Sequence, residues 1–101
     1  MIYEIEFKNN WSSENILDKP REYLAKLPEE MLNLLIEELQ EIALDPYNFK
    51  RTHDLREPWD GFMGWYPDER TKLKDYRIIY RVEKKVKIYR IGHHKEVYKK
   101  K

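Results

Sequence analysis

The sequence predicts an α+β fold in which two N-terminal helices pack on a small, mainly antiparallel four-stranded sheet, in the order β-α-α-β-β-β. Three observations predict this fold. A segment with period-two hydrophobicity opens the chain, a helical pattern bounded by prolines follows, and further period-two segments occupy the last third. Because 101 residues is the usual length of one domain, we expect residues 1–101 to form a single domain.

The first strand is predicted from Ile2 to Phe7, with Tyr3, Ile5 and Phe7 facing the core. A short helix is predicted from Asp18 through Leu27.

In this first helix, Pro20 falls in the first turn. Proline is tolerated there, because a backbone N–H in the first turn would have no hydrogen-bond acceptor within the helix. A second helix is predicted to begin at Pro28 and to end at Asp45-Pro46, because the residue before a proline is driven out of helical geometry. Its apolar positions share one face and are Leu32, Leu35, Ile36, Leu39, Ile42 and Ala43.

The remaining residues predict a long ordered loop followed by an antiparallel meander. The loop runs from Tyr47 to about Met63 and is rich in Pro, Gly, Asp and aromatic residues. Three strands are then predicted at Arg70 to Leu73, Tyr76 to Glu83 and Val86 to Ile91, separated by short polar turns. In the middle strand, Tyr76, Ile78 and Tyr80 form an apolar face, and Arg77, Ile79 and Arg81 form the opposite face.

Charge is distributed very unevenly along the chain. Residues 1–60 hold 7 Lys and Arg against 14 Asp and Glu, a net charge of −7, whereas residues 61–101 hold 13 against 5, a net charge of +8. Positive charge mixed with aromatic residues is typical of surfaces that bind a polyanion such as RNA, since cations neutralise phosphates and rings stack on bases. The alternative is an edge strand that lysines protect against aggregation.

Composition excludes several classes of protein and site. The chain has no cysteine, so a disulfide framework and a thiolate zinc site are excluded, and three histidines make a poor metal set. We therefore expect no metal and no cofactor. No apolar run is long enough to cross a bilayer, and the N-terminus lacks the order of a signal peptide, so a cytoplasmic protein without membrane contact is expected.

Two motifs carry a family resemblance, together with the Leu27-Pro28 and Asp45-Pro46 junctions. Residues 75–82 read D-Y-R-I-I-Y-R-V and residues 91–98 read I-G-H-H-K-E-V-Y. In this order and spacing they resemble the RelE/ParE superfamily. The resemblance implies a toxin of a toxin-antitoxin pair. RelE-like members cut messenger RNA on the ribosome, and ParE-like members inhibit DNA gyrase.

The resemblance also implies site residues. Cleaving members carry basic residues on the strand before the Tyr-Arg strand, and Arg70 and Lys72 take those positions here. Arg77 matches the family's arginine on the next strand.

At the C-terminal end His93, Lys95 and Tyr98 match, whereas His94 replaces an arginine that many members have. Glu57-Pro58 is similar to a loop Glu-Pro that supplies a base in some relatives, which makes Glu57 a candidate base. Lys95 and Lys74 are candidate RNA-binding residues.

These residue types suit metal-free RNA cleavage by attack of the 2′-hydroxyl on the 3′ phosphate. Arg70, Lys72 and Arg77 would stabilise the charge of the pentacoordinate phosphate. His93 or His94 would move protons, because imidazole titrates near neutral pH. Tyr98 would stack on or orient a base.

Alternatives remain for function and for individual residues. Arg77 and Arg81 could instead be solvent-exposed residues on the outer face of a strand. The histidine pair could simply be polar residues at the surface, and Tyr98 could anchor the C-terminal segment in the core. For the whole protein, the preferred hypothesis is a ribosome-dependent endoribonuclease that inhibits translation. The alternatives are a gyrase inhibitor without enzymatic activity and an inactive toxin retained for antitoxin binding. In each case the expected partner is a cognate antitoxin with an acidic segment. Added salt is expected to weaken the binding of this antitoxin.

Overall fold

The computed structural model describes residues 2–99, which form a five-stranded sheet with helices at its edges and on one face. The elements in chain order are β1 (Ile5–Phe7), a 3-10 turn (Ile16–Asp18), α1 (Pro20–Ala25), α2 (Glu29–Leu44), β2 (Thr52–Asp54), β3 (Met63–Trp65), β4 (Tyr76–Val82), β5 (Val86–His93) and α3 (His94–Val97). The strand order is β1-β5-β4-β3-β2. Within residues 2–99 only β1 and β5 pair in parallel.

The helices follow the predicted pattern, with shorter ends. Pro20 occupies the first turn of α1, as expected, but this helix ends at Ala25. Helix α2 begins directly after Pro28 and carries Glu29 and Glu30 in its first turn, where the helix dipole favours carboxylates. The prediction that Ile36 faces the core is wrong, because its side chain is 41% exposed on the outer side of α2.

One face of the sheet, here called the helix face, packs against α1 and α2. Its main cluster consists of fully or nearly buried side chains from five elements and the turn before β4: Leu24, Leu35, Leu39, Ile42, Trp65, Leu73, Ile78, Tyr80, Val86, Ile88 and Ile91. Tyr3, Ile5 and Phe7 pack against this cluster as predicted. The first strand is shorter than predicted, because the Tyr3 amide donates to Ala43 of α2 instead of to a strand.

The opposite face, here called the open face, carries a second, smaller core. Ile79 is fully buried there by Trp59, Phe62 and Val97, which come from the loop before β3 and from α3. The predicted face of arginines around one isoleucine is thus partly covered. Only its ends, at Arg77 and Arg81, reach the surface.

The sheet has five strands and not four, because two unpredicted strands form within and at the end of the predicted loop, while one predicted strand, at residues 70–73, is absent. Strand β2 pairs with β3, and β3 pairs with β4 through Met63 opposite Tyr80 and Trp65 opposite Ile78. Three-residue strands give too few alternations to be recognised, and Gly64 interrupts the apolar pattern of β3.

The predicted strand from Arg70 to Leu73 is wrong, since these residues form turns. Asp68 accepts hydrogen bonds from the Arg70 amide at 2.9 Å and, through its carbonyl, from the Thr71 amide at 3.1 Å. An aspartate that bonds the backbone two residues ahead favours a turn over a strand. The position next to β4 is taken by β3 instead.

Candidate functional site

The open face presents a stack of three side chains from three neighbouring strands or their ends. The Arg77 guanidinium lies 4.3 Å from the centre of the Tyr66 ring. The Tyr66 ring stacks in turn on His53, with centroids 4.6 Å apart and planes 20° from parallel. His53 and Gly64 are paired across β2 and β3, and Tyr66 follows two residues after Gly64, so the sheet register places these side chains on one face.

Tyr98 joins this stack from the C-terminal end because Gly64 has no side chain. A Cβ placed on Gly64 would lie 2.9 Å from His53 Cε1 and 3.1 Å from Tyr98 Oη. The glycine thus leaves the space in which the imidazole and the phenol approach each other over β3. His53 Nδ1 and Tyr98 Oη are both buried and have no hydrogen-bond partner within residues 2–99. Because an unpaired buried polar atom costs free energy, the close approach of these two atoms does not serve stability.

The environment shifts the pKa of both groups. Burial lowers the pKa of His53, and the positive charge of Arg77 lowers it further, whereas Asp54 opposes the shift. Burial raises the pKa of Tyr98 to about 12, although Arg77 acts in the opposite direction. At neutral pH the imidazole is therefore an unprotonated base, and the phenol keeps its proton.

A basic cleft of about 510 Å³ adjoins the stack. Its lining is mainly cationic and consists of Lys50, Arg51, Tyr66, Pro67, Asp68, Glu69, Arg70, Lys74 and Arg77. Two of its cations are already neutralised, since Arg70 forms an ion pair with Asp68 at 2.9 Å and Arg51 one with Glu38. The bonds from Arg70 also lower the pKa of Asp68 to about 2. Lys50, Lys74 and Arg77 remain available for an anionic ligand.

Glu38 of α2 holds the wall of this cleft in place. Its buried carboxylate accepts hydrogen bonds from Trp65 Nε1 at 2.9 Å and from the Asp68 amide at 3.1 Å, besides the ion pair with Arg51. Arg51 Nε donates to the Tyr66 carbonyl at 2.8 Å. The helix layer therefore fixes the position of Tyr66, on which the Arg77 guanidinium rests.

The structure brings some of the predicted basic residues together and separates others. Arg70, Lys74 and Arg77 all line the cleft. Arg70 and Lys72 do not project from a strand beside Arg77, as was expected, because they lie in turns. Lys72 instead forms an exposed ion pair with Glu30 at 3.0 Å, on the side of α2.

The C-terminal histidines lie apart from the stack. His93 is opposite Tyr76 in the sheet, and the two rings make an edge contact with centroids 6.0 Å apart, so His93 projects on the helix face. Its Nδ1 accepts the Lys95 amide at 3.1 Å and caps α3. His94 stacks on His93 at the exposed end of the sheet, and Lys95 is exposed.

Glu57 lies nearer to the stack than the C-terminal histidines do. It is exposed in the loop after β2, and its peptide bond to Pro58 is cis. Together with His53 and Tyr98 it lines a shallow pocket of about 250 Å³. Its role as a base stays a prediction.

His53, Tyr66 and Lys50 were not predicted as site residues, because His53 and Lys50 fall in the predicted loop and Tyr66 lies between that loop and the next predicted strand. The signal that was available is weak: His53 is the one histidine outside the C-terminal motif, and Tyr66 ends a run of large residues broken by Gly64. Without the β2-β3 hairpin, neither His53 nor Tyr66 can be placed beside Arg77. Within residues 2–99 no group of three His, Cys, Asp or Glu side chains converges as metal ligands.

The stability of the protein should depend on pH through His53. Because the native pKa of His53 lies below its ordinary value near 6.5, the unfolded chain binds more protons as the pH falls below about 6.5. The contribution of His53 is therefore complete above that pH and is lost below it. We expect the urea midpoint to fall more between pH 7.5 and pH 5.5 in the wild type than in His53→Gln. An equal fall in both proteins would contradict the assignment.

Comparisons with known proteins agree with the fold and identify a family. A family model described as the ParE toxin of the type II toxin-antitoxin system, parDE, matches residues 11–98. No curated protein sequence matches the chain. Within residues 2–99 no helix is long and apolar enough to span a membrane.

Two solved structures share the fold. The toxin-antitoxin complex RelBE2 from Mycobacterium tuberculosis is similar with a TM-score of 0.65 and 22% identity, over 92% of this chain and 99% of that chain. A conserved hypothetical protein from Helicobacter pylori is similar with a TM-score of 0.59 and 22% identity, over 96% of this chain and 100% of that chain. At 22% identity, these two structures show only that the fold is shared. The family model matches most of the sequence and therefore shows the family. The chain belongs to the ParE toxin family of type II toxin-antitoxin systems.

Proposed function

We propose that this toxin inhibits translation by cleaving messenger RNA, and that the stack of His53, Tyr66 and Arg77 with Tyr98 is its active site. The observation that supports this function is the position of a neutral imidazole beside an arginine at the edge of a basic cleft. A protein that only blocks its target needs cations and shape, but it does not need a proton acceptor. RNA cleavage needs both.

In the proposed reaction, the 2′-hydroxyl oxygen forms a bond to the adjacent 3′ phosphorus while the bond from phosphorus to the 5′ oxygen breaks. The His53 imidazole takes the proton of the 2′-hydroxyl, which its lowered pKa permits at neutral pH. Arg77 stabilises the negative charge that grows on the phosphate oxygens. The departing 5′ oxygen takes up a proton from water as it leaves, while Tyr98 keeps its own proton and packs its phenol beside His53 over Gly64.

The cleft would hold the RNA backbone that continues from the reacting phosphate. Lys50 and Lys74 lie along it with no carboxylate paired to them in the part of the chain that the structure describes. Arg70 contributes less charge, since Asp68 neutralises it. This arrangement replaces the expected cation pair on a strand, because β3 carries Met63, Gly64 and Trp65 where the resemblance predicts Arg or Lys.

The proposal is tested by adding purified toxin to ribosomes programmed with a short message and mapping the RNA ends. We expect cleavage products with a 2′,3′-cyclic phosphate or a 3′ phosphate, as attack by the 2′-hydroxyl requires. His53→Gln should reduce the rate strongly and should remove its dependence on pH below neutrality. A message that stays intact at every toxin concentration would contradict the proposal.

We also propose that the partner of this chain is an antitoxin with an acidic segment that covers the basic cleft. The RelBE2 structure is itself a toxin-antitoxin complex. Because Lys50, Lys74 and Arg77 are exposed or half-buried cations without paired carboxylates, a carboxylate-rich peptide suits the same surface as RNA. Binding of such a partner should weaken as the salt concentration rises.

Inhibition of DNA gyrase is the second candidate function, and one observation favours it. Strand β3 carries no cation in its three residues, although the cleaving branch of the superfamily is expected to have them there. Supercoiling assays with excess toxin separate the candidates: inhibition of gyrase by His53→Gln as strong as by the wild type would support the second candidate.

A further inference from the structure

A largely exposed aromatic residue, Phe49, directly precedes a residue that lines the basic cleft. The Phe49 side chain is 84% exposed, the largest exposure among the large apolar residues in the described part of the chain. The next residue, Lys50, lines the cleft, and a second exposed aromatic residue, Tyr66, lines it as well. An exposed phenylalanine contributes nothing to the core, so its position is unexplained by folding.

The turn that carries Phe49 is well ordered. Asn48 accepts hydrogen bonds through its carbonyl from the Arg51 and Thr52 amides, both at 2.9 Å, and through Oδ1 from the Lys50 amide at 3.0 Å. The phenylalanine is therefore held by the backbone on both sides. A ring on an ordered turn loses little conformational freedom when it binds a ligand.

Two buried groups anchor this turn to the rest of the protein. The hydroxyl of Tyr80, which is fully buried, donates to the Pro46 carbonyl at 2.6 Å. Arg51 is fixed by its ion pair with Glu38 and by stacking at 4.9 Å on Trp65. The position of Phe49 relative to the cleft is thus set by the helix layer and the sheet together.

We propose that Phe49 is a base-stacking platform for single-stranded RNA, with Lys50 binding the phosphate beside the stacked base. This inference rests on the proposed function, in which the cleft holds the RNA backbone. Charge complementarity argues for the occupant: an exposed ring followed by the Lys50 ammonium suits a chain in which each base is joined to a phosphate. Stacking accepts any base, so Phe49 would add affinity without sequence preference.

The test separates stacking from phosphate binding with two probes that the toxin does not cleave. One is a short fluorescein-labelled oligothymidylate, and the other is an abasic deoxyribose-phosphate chain of equal length. Neither contains a 2′-hydroxyl, so binding is measured without cleavage. Fluorescence anisotropy at low salt gives the Kd of each probe for the wild type and the variants.

We expect Phe49→Leu to weaken binding of the oligothymidylate by about tenfold, because one base loses the ring on which it stacks, and to leave binding of the abasic chain unaffected. Phe49→Trp should keep the wild-type affinity. Lys50→Gln should weaken binding of both probes by the same factor. Trp11→Leu is the matched control, since Trp11 is also exposed, at 65%, but contacts Lys19 and has no chain neighbour that lines the cleft.

The outcomes against the proposal are distinct. If the wild type binds the oligothymidylate and Phe49→Leu binds it equally well, or if both probes lose affinity alike, the stacking role is wrong while the proposed RNA site stands. If the wild type binds neither probe, the RNA site itself is wrong and the platform fails with it. An antitoxin contact at Phe49 would appear as loss of antitoxin binding with unchanged affinity for oligothymidylate, which also overturns the proposal.

Discussion

Replacement of Arg77 by alanine is expected to lower the rate of messenger RNA cleavage by about 10²- to 10³-fold, the usual effect of removing one group that stabilises transition-state charge. The guanidinium is held over Tyr66 and by donation to the Lys74 and Tyr76 carbonyls at 2.9 and 2.6 Å, so it is aimed before substrate binds. Single-turnover cleavage on programmed ribosomes measures this effect. The loss should fall on the rate constant more than on binding, because the interaction strengthens as charge grows.

Arg81→Ala provides the matched control. Arg81 lies four residues after Arg77 on β4 and on the same open face, where its guanidinium is 5.1 Å from the centre of the Phe62 ring. If Arg77 acts only by adding positive charge to the surface, both variants will lose the same activity. Cleavage by Arg77→Ala at the rate of Arg81→Ala would remove Arg77 from the active site. Arg77→Lys should recover little activity, since a lysine cannot reproduce the planar contact with Tyr66.

The largest expected effect on stability is that of Asp18→Ala. Arg90 is fully buried, with its Nε and Nη2 each 2.7 Å from Asp18 Oδ1. Removing the carboxylate leaves a buried charge without its partner, which costs about 3–5 kcal/mol. Urea unfolding measures the loss. Because Arg90 Nη1 also donates to the Val97 and Lys99 carbonyls, at 3.0 and 2.8 Å, the variant should loosen the segment that carries Tyr98.

Asp68→Ala is the comparison for that experiment. Asp68 also forms a close ion pair, but its partner Arg70 is 85% exposed, and exposed ion pairs contribute little to stability. A loss of similar size in both variants would show that burial of Arg90 is not what makes its ion pair important. The double variant Asp18→Leu with Arg90→Met should recover stability relative to Asp18→Ala, since no unpaired charge is then buried.

Several elements were predictable from the sequence because local rules decide them. Helix α2 needs only a helical period, a proline before its first residue and Asp45-Pro46 after its last, and the structure places it at Glu29–Leu44. Strand β4 alternates over seven residues, which is long enough to be recognised. The family resemblance rested on these segments and on the C-terminal motif, and the family is confirmed.

The elements that were mispredicted depend on pairing partners far away in the chain. Strands β2 and β3 have three residues each and exist because β4 offers an edge to pair with. Asp18 was taken for the start of a helix, the local role of an aspartate before proline, whereas a partner 72 residues away holds its carboxylate. No local pattern contains that information.

The sequence by itself determined helices α1 and α2, the two long strands, the family and the concentration of positive charge after residue 60, but not α3. Only the tertiary structure decided which side chains meet at the candidate site. The basic residues after residue 60 divide among the cleft, the side of α2 and the buried ion pair with Asp18. His53 and Lys50 come from the acidic part of the chain. The physical reason is the sheet: its register, set by hydrogen bonds between distant strands, puts His53, Tyr66 and Arg77 on one face and His93 on the other.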